Sequence, residues 1–277
     1  MGIGQKRSLA KDEARARGES LFAFSDGKIH SFETRNNYQK IVMRFIDWCR
    51  DTQQVRDLDK ITEQADELVS LYLIERMENT ERQYSAWTLQ TERSGLRQFF
   101  QDHTLADSVE LPPRRREDIK RSRLPAKRDS HINLDNWQHV ITFCLACGLR
   151  REELRDLRVR DVLVQPSDQQ LVVRVVKGKG GKYRAVPAFP GREQAILSQV
   201  IGKEADAPVF ERLSSLLDIH SYRRQFAQEL YEHLSGCPLP PKEGRLHSPD
   251  LDRRAALFVS QCLGHNRIEI IFGHYIR

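Results

Sequence analysis

The sequence predicts a mainly α-helical protein with one small antiparallel β-sheet, divided into two units by a basic linker. Three observations carry this. Apolar residues recur at helical spacing through most of the 277 residues, and the period changes to short β-rich runs only between Val162 and Val186. A cationic stretch opened by Pro112-Pro113 interrupts both patterns.

Residues 1–30 are polar, rich in Lys, Arg, Asp and Glu, and without periodicity, so a flexible tail is expected. From Ser31 to Arg50, Tyr38, Ile41, Val42, Phe45, Ile46 and Cys49 share one helical face. A second stripe runs from Leu68 through Leu71 and Tyr72 to Met77, and a third takes in Trp87, Leu96, Phe99 and Phe100. Residues 31–107 therefore read as a helical unit whose aromatic stripe is core. Proline removes a backbone donor and restricts the residue before it, so Pro112, Pro113 and Pro125 place the linker at 108–130.

Residues 131–277 read as the second unit. A helix, a turn and a second helix are expected over Asn133–Leu157, and strands over Val162–Val164, Leu171–Val176 and Tyr183–Val186. Helical patterning returns at Arg192–Ile201, Ser221–Leu234 and Asp252–Leu263, followed by a short last segment. Gly236–Asp250, rich in Pro and Gly, reads as a loop.

Hydrophobic residues make up 39% of the chain, and no apolar run approaches the ~20 residues that cross a bilayer. A cytoplasmic protein with no membrane partner is expected. The five cysteines (Cys49, Cys144, Cys147, Cys237, Cys262) are odd in number and scattered, which suits reduced thiols. Cys144 and Cys147 form a single CxxC in an apolar helical stretch with no second pair, so they read as core rather than as zinc ligands.

The net charge is +6, and between Pro112 and Arg128 eight basic residues face two acidic ones, an excess equal to that of the whole chain. Such a stretch suits a polyanion, because each cation that neutralises a phosphate releases condensed counterions. Arg114, Arg115, Arg116, Lys120, Arg121 and Arg123 are the candidate contacts. Composition alone fits a solvated linker without a partner equally well.

The chain has no GxxxxGK[ST], no HExxH and no acidic triplet suited to two metal ions, which disfavours metal-assisted phosphoryl transfer. Charge on phosphate oxygens must then be met by fixed cations and hydrogen-bond donors, and the planar fork of arginine grips such oxygens bidentately. Four stretches offer the parts. Cys147-Gly-Leu-Arg-Arg-Glu-Glu-Leu154 projects Arg150 from a turn, and Val176-Lys-Gly-Lys-Gly-Gly-Lys-Tyr-Arg184 is a glycine-rich turn with lysines at its tip. His220-Ser-Tyr-Arg223 puts His220 and Arg223 on one helical face, and Leu263-Gly-His265 precedes Tyr275 by ten residues.

In this order the stretches resemble the tyrosine recombinases, the phage-type integrase family. That family carries a GLR followed closely by Glu, a GKGxKxR turn, HxxR, LGH and then a tyrosine. Here these stand as Gly148-Leu-Arg150 with Glu153, Gly178 to Arg184, His220 with Arg223, Leu263-Gly-His265, and Tyr275. The resemblance covers the C-terminal half specifically and the N-terminal unit loosely. It implies a C-shaped, two-domain DNA clamp, made of a helical core-binding domain and a tyrosine recombinase catalytic domain.

The resemblance also implies a site-specific recombinase or integrase that needs no cofactor and no metal. Tyr275 is expected to attack the scissile phosphate and expel a 5′-hydroxyl, leaving a 3′-phosphotyrosine that a second strand's hydroxyl reverses. A phenol is a poor nucleophile at neutral pH, so a base such as His220 is expected to take its proton. Arg150 and Arg223 clamp the nonbridging oxygens, Lys179 protonates the leaving oxygen, His265 donates to the phosphate, and Glu153 holds Arg150 or a histidine from behind. Lys177, Lys182, Arg184 and Arg224 are expected on the DNA. Arg151, Arg155, Arg158 and Arg160 read equally as backbone contacts or solvated charges.

The implied partners are double-stranded recombination sites, three further copies of the chain in a tetramer on DNA, and accessory DNA-bending proteins; the implied setting is a mobile genetic element. Three departures stand out. Arg224 occupies the position after the second arginine, where His or Lys is usual. Tyr275 follows His265 by ten residues where nine is usual, with His274 at the ninth, so a loop longer by one residue is expected. Only Ile276 and Arg277 follow Tyr275, so either the chain is naturally short or it has been cut, and protomer exchange is then expected to use an element other than the C-terminal helix common in the family. Two alternatives stay open: a noncutting DNA-binding regulator on the same fold, and a relaxing enzyme of the type IB topoisomerase kind.

Overall fold

A computed structural model describes residues 2–5, 7–19, 26–115, 118, 129–167, 169–178, 183–241 and 251–276. The chain forms two compact units, Met1–Arg114 and Arg115–Arg277.

The first unit is helical: α1 (Arg7–Ala16), α2 (Phe32–Asp51), α3 (Leu58–Glu63), α4 (Ala65–Glu78) and α5 (Ala86–Phe100). Ser31 and Ser85 start α2 and α5 by accepting the backbone N–H groups of Thr34 and Thr88. The apolar faces meet in a core of Ile41, Val42, Phe45, Cys49, Leu68, Tyr72, Leu89 and Leu96. Glu92 is buried among them and carries a bidentate pair from Arg76 at 2.6 and 2.7 Å, which compensates its lost hydration. The aromatic stripe divides: Phe100 packs edge-on against Phe45, whereas Phe99 is exposed.

Two boundaries differ from expectation. The polar N-terminal stretch contains α1, whose buried Ala10 and Ala14 lie one turn apart. A face made of alanines escapes a search for large apolar residues, although alanine is the strongest helix former. The helical unit also continues beyond 107, because Leu105, Ala106, Val109 and Leu111 are buried. Arg97 Nε and Arg93 Nη1 donate to the Leu105 and Val109 carbonyls, fixing this irregular stretch on α5.

The second unit begins its regular structure with a 3-10 turn at Leu134–Trp137, then α6 (Gln138–Cys147) and α7 (Arg151–Asp156). β1 (Val162–Val164), β2 (Leu171–Val175) and β3 (Arg184–Pro187) follow, then α8 (Glu193–Leu197), α9 (Ile219–Ser235), α10 (Arg253–Cys262) and α11 (Ile268–His274). The sheet is antiparallel in the order β1-β2-β3, with Val162 opposite Val173 and Val173 opposite Val186. The unit is thus mainly helical with one small sheet. Helix α8 is shorter than the expected Arg192–Ile201, since after Leu197 the chain tightens into i→i+3 bonds from Gln199 and Val200.

α6 packs on α9, and Phe143, Cys144, Cys147, Leu149, Val173, Val186, Phe226 and Tyr231 lie in one core. Cys144 and Cys147 are both buried, and Cys147 Sγ donates to the Phe143 carbonyl. Burial pushes the Cys144 thiol up to about 12, the behaviour of a packing residue rather than a reactive thiol. Among the described residues, no helix is long and apolar enough to cross a membrane.

Candidate active site

Helix α6 ends at Gly148, whose φ of +59° lies in the left-handed region. A Cβ there would stand 2.2 Å from Phe226 Cδ1, so glycine is required by backbone and packing together. The turn buries Leu149 and leaves Arg150 at the start of α7 in an extended conformation. Glu153, three residues on, accepts the Arg150 backbone N–H at 2.8 Å and its Nη1 at 2.7 Å. Arg150 Nη2 donates to the Leu263 carbonyl at 3.0 Å.

Glu153 serves a second arginine. Arg184, first residue of β3, donates Nη1 and Nη2 to its two oxygens at 2.9 and 2.7 Å and Nε to the Cys262 carbonyl at 2.8 Å. Burial by itself would raise the Glu153 pKa, but the hydrogen bonds and charges of Arg184 and Arg150 bring it down to about 2. Arg184 was expected on DNA; its side chain is only 9% exposed, and its Nε, Nη1 and Nη2 are all engaged inside the protein. Strand alternation holds the signal for this, because Arg184 shares a face with Val186, which is fully buried.

Helix α9 supplies the third arginine. Asp218 caps it by accepting the Ser221 N–H, and Arg223 projects inward at 1% exposure. Its Nη1 donates to the Gly148 carbonyl, its Nη2 to the Leu263 carbonyl at 2.6 Å, and its Nε to the Tyr275 hydroxyl at 3.4 Å. Burial lowers the pKa of this guanidinium, the neighbouring Tyr275 opposes that shift, and Arg150 adds to it. The last carbonyls of α10 thus gather three arginines: Cys262 takes Arg184, and Leu263 takes Arg150 and Arg223. These carbonyls are the negative end of the helix, a natural seat for cations.

Gly264 then turns the chain at φ +70°, and His265 places Nε2 3.2 Å from the Tyr275 hydroxyl. Burial and the charges of Arg223, Arg150, Arg184 and Arg267 hold the His265 pKa down at about 4, so its ring is neutral at pH 7. His220, exposed on the first turn of α9, has its ring centroid 6.2 Å from that of Tyr275. Partial desolvation and then Arg223 and Arg224 lower its pKa too. Tyr275 itself is 4% exposed, while His274 beside it is exposed on α11. Helix α11 ends at His274 with Tyr275 as its C-cap, and Tyr275 rather than His274 faces Arg223.

The structure therefore brings together Arg150, Glu153, Arg223, His265 and Tyr275, with His220 at the rim. Lys177 is exposed just after β2, and Arg224 is half-buried on α9. Arg114 and Arg115 are exposed at the boundary between the units. Lys179, Lys182, Arg116, Lys120, Arg121 and Arg123 lie outside the described residues. Arg151 donates to the Ser214 and Leu217 carbonyls and so is a structural tie. Arg155 and Arg160 pair on the surface with Asp156 and Asp206, and Arg158 reaches the Asp206 carbonyl.

No family model matches the sequence, and no curated protein matches it. Solved structures do. XerH site-specific recombinase bound to palindromic difH substrate, a post-cleavage complex, is similar with a TM-score of 0.52 at 15% identity, over 97% of this chain and 81% of that one. The pre-cleavage complex of XerH with difH is similar with a TM-score of 0.50 at 16% identity, over 89% and 77%. The likeness shows the fold: this chain has the tyrosine recombinase fold, in agreement with the motifs it carries.

Proposed function

We propose that this protein is a site-specific DNA recombinase that cuts and rejoins strands through a 3′-phosphotyrosine at Tyr275. The observation that carries the reading is the position of the Tyr275 hydroxyl, 3.2 Å from His265 Nε2 and 3.4 Å from Nε of Arg223, which shares the Leu263 carbonyl with Arg150. A nucleophile, a neutral imidazole and two fixed guanidiniums are the parts that metal-free phosphoryl transfer needs.

In this mechanism the tyrosine oxygen attacks phosphorus, the P–O5′ bond breaks, and the 5′-hydroxyl leaves with a proton from Lys179. The phenolic proton passes to an imidazole. His220 fills that role in the resemblance, yet His265 is the ring in contact with the hydroxyl, and it is assigned the acceptor's part here. Arg150 and Arg223 meet the charge on the nonbridging oxygens. Attack by a second strand's 5′-hydroxyl reverses the step and conserves the bond. Linker cations track the phosphates of the duplex, and four copies assemble on a pair of sites belonging to a mobile element.

The test is covalent capture from a pool of nicked suicide duplexes with randomised sequence. An adduct that survives denaturant, forms in chelator and vanishes in Tyr275→Phe supports the reading. Tight, selective binding with no adduct overturns it in favour of a noncutting DNA-binding regulator, and plasmid relaxation without strand exchange in favour of a topoisomerase.

A further inference from the structure

We propose that Arg184 is a positioning residue, holding the Glu153 carboxylate so that Glu153 fixes Arg150 toward the scissile phosphate. The inference rests on the recombinase reading above and assigns Arg184 a part that is neither DNA contact nor catalyst.

The geometry is a relay of two guanidiniums through one carboxylate. Glu153 Oε1 accepts Arg150 Nη1 at 2.7 Å and Arg184 Nη1 at 2.9 Å, and Oε2 accepts the Arg150 backbone N–H at 2.8 Å and Arg184 Nη2 at 2.7 Å. A carboxylate offers about four lone-pair sites, so Glu153 is saturated and cannot rotate without breaking a bond to each arginine. The two arginines differ in exposure. The Arg150 side chain is 21% exposed and can meet a ligand, whereas that of Arg184 is 9% exposed and lies behind the carboxylate.

Arg184 is fixed from the other side as well. Its Nε donates to the Cys262 carbonyl at 2.8 Å, next to the Leu263 carbonyl on which Arg150 and Arg223 converge. One side chain thus ties β3 to α7 and to the end of α10. The glycine of Leu263-Gly-His265 makes room for it: a Cβ on Gly264 would stand 3.2 Å from Arg184 Nη1. Electrostatics favours the same assignment, since Arg150, Arg184 and Arg223 would repel one another without the carboxylate between them.

Removing Arg184 leaves half of the buried carboxylate's lone pairs without donors and lets it swing, and Arg150 with it. Misplacement of a clamping group by about 1 Å costs on the order of 100-fold in rate. Lysine restores the charge and one hydrogen bond but not the planar fork.

The experiment measures single-turnover cleavage of a captured suicide duplex at saturating protein, together with duplex affinity against salt, for wild type, Arg184→Lys and Arg184→Ala. Positioning predicts cleavage slower by about 100-fold in Arg184→Ala and about 10-fold in Arg184→Lys, with affinity within about 2-fold and an unchanged salt slope. It also predicts that the acid limb of the rate profile moves to higher pH in Arg184→Lys, because Glu153 keeps fewer donors. A purely structural role would lower the melting temperature and leave that limb in place. If Arg184→Ala fails to fold, Arg184→Lys decides alone. Unchanged cleavage with weaker binding and a salt slope reduced by about one makes Arg184 a phosphate contact and overturns the proposal. Wild-type protein that forms no adduct overturns the recombinase reading, and the proposal with it; a wild-type adduct with unaltered variants overturns the proposal alone.

Discussion

Arg223 directs Nε at the hydroxyl of Tyr275 from 3.4 Å, while its other two edges are held by the Gly148 and Leu263 carbonyls. An ammonium cannot serve three acceptors spread over a planar fork. Arg223→Lys is therefore expected to lose about 2–3 kcal/mol in denaturant unfolding, since buried carbonyls go unpaired, and to form adduct at least about 100-fold more slowly. A variant as stable and as active as wild type would remove Arg223 from the site.

Glu153 gives stability a pH dependence of defined sign. Its folded pKa of about 2 lies below the ordinary 4.5, so its contribution is complete above about 4.5 and is lost as pH falls toward about 2. With the side chain 3% exposed, the shift corresponds to about 3 kcal/mol. Urea unfolding from pH 6 down to pH 3 should show a decline in wild type that Glu153→Gln lacks in part. Parallel curves for the two proteins would contradict the assignment.

His265 provides a direct spectroscopic check. Its folded pKa of about 4 lies below the ordinary 6.5, so the unfolded chain binds more protons across that window and the residue costs stability as pH falls through it. Long-range proton–nitrogen spectra of selectively labelled histidine should show a neutral ring at pH 6 and titration near 4. Titration at or above 6.5 would contradict the burial and the surrounding arginine charges as the environment of this ring.

The Gly148 turn makes a steric prediction. Gly148→Ala meets both a φ of +59° and a contact of 2.2 Å with Phe226. The expected loss is about 3–5 kcal/mol in urea unfolding, from left-handed strain and overpacking together. Adding Phe226→Leu relieves the contact but not the backbone, so it should recover only part. Full recovery would show that packing alone demands the glycine.

Much of the site was legible because its residues sit in short, ordered stretches. The GLR, HxxR and LGH segments, with Tyr275, single out Arg150, Arg223, His265 and Tyr275 as candidates before any contact is known. Groups that act through the backbone escape such a reading, since a carbonyl has no letter: nothing in the residue type of Leu263 shows that it receives two arginines. Arg184 reads as a DNA contact because a cation beside a lysine-rich turn resembles its neighbours, and its register with buried Val186 is the sequence signal for its ion pair with Glu153. Asp129 is a similar case. It sits in a stretch read as linker, yet it is 2% exposed and accepts from the Tyr222 hydroxyl and the Asp218 N–H, pinning the start of α9. Helix α1 and the buried run from Leu105 to Leu111 were missed for a related reason, because alanines and isolated apolar residues carry no periodic signal.

The linker supplies the last prediction, and it concerns binding rather than chemistry. Arg114 and Arg115 are exposed where the first unit ends, and they open the run that holds the chain's positive excess. If both rest on phosphates, replacing them with alanine removes two counterion-releasing contacts. The slope of log affinity against log salt should then become shallower by about 1.8, and affinity should fall alike for every duplex sequence. The measurement is fluorescence anisotropy with a labelled duplex from about 50 to 300 mM salt, a range over which phosphate contacts dominate the change. An unchanged slope would mean that these two arginines are solvated, and that the cations gripping the backbone lie elsewhere in the chain.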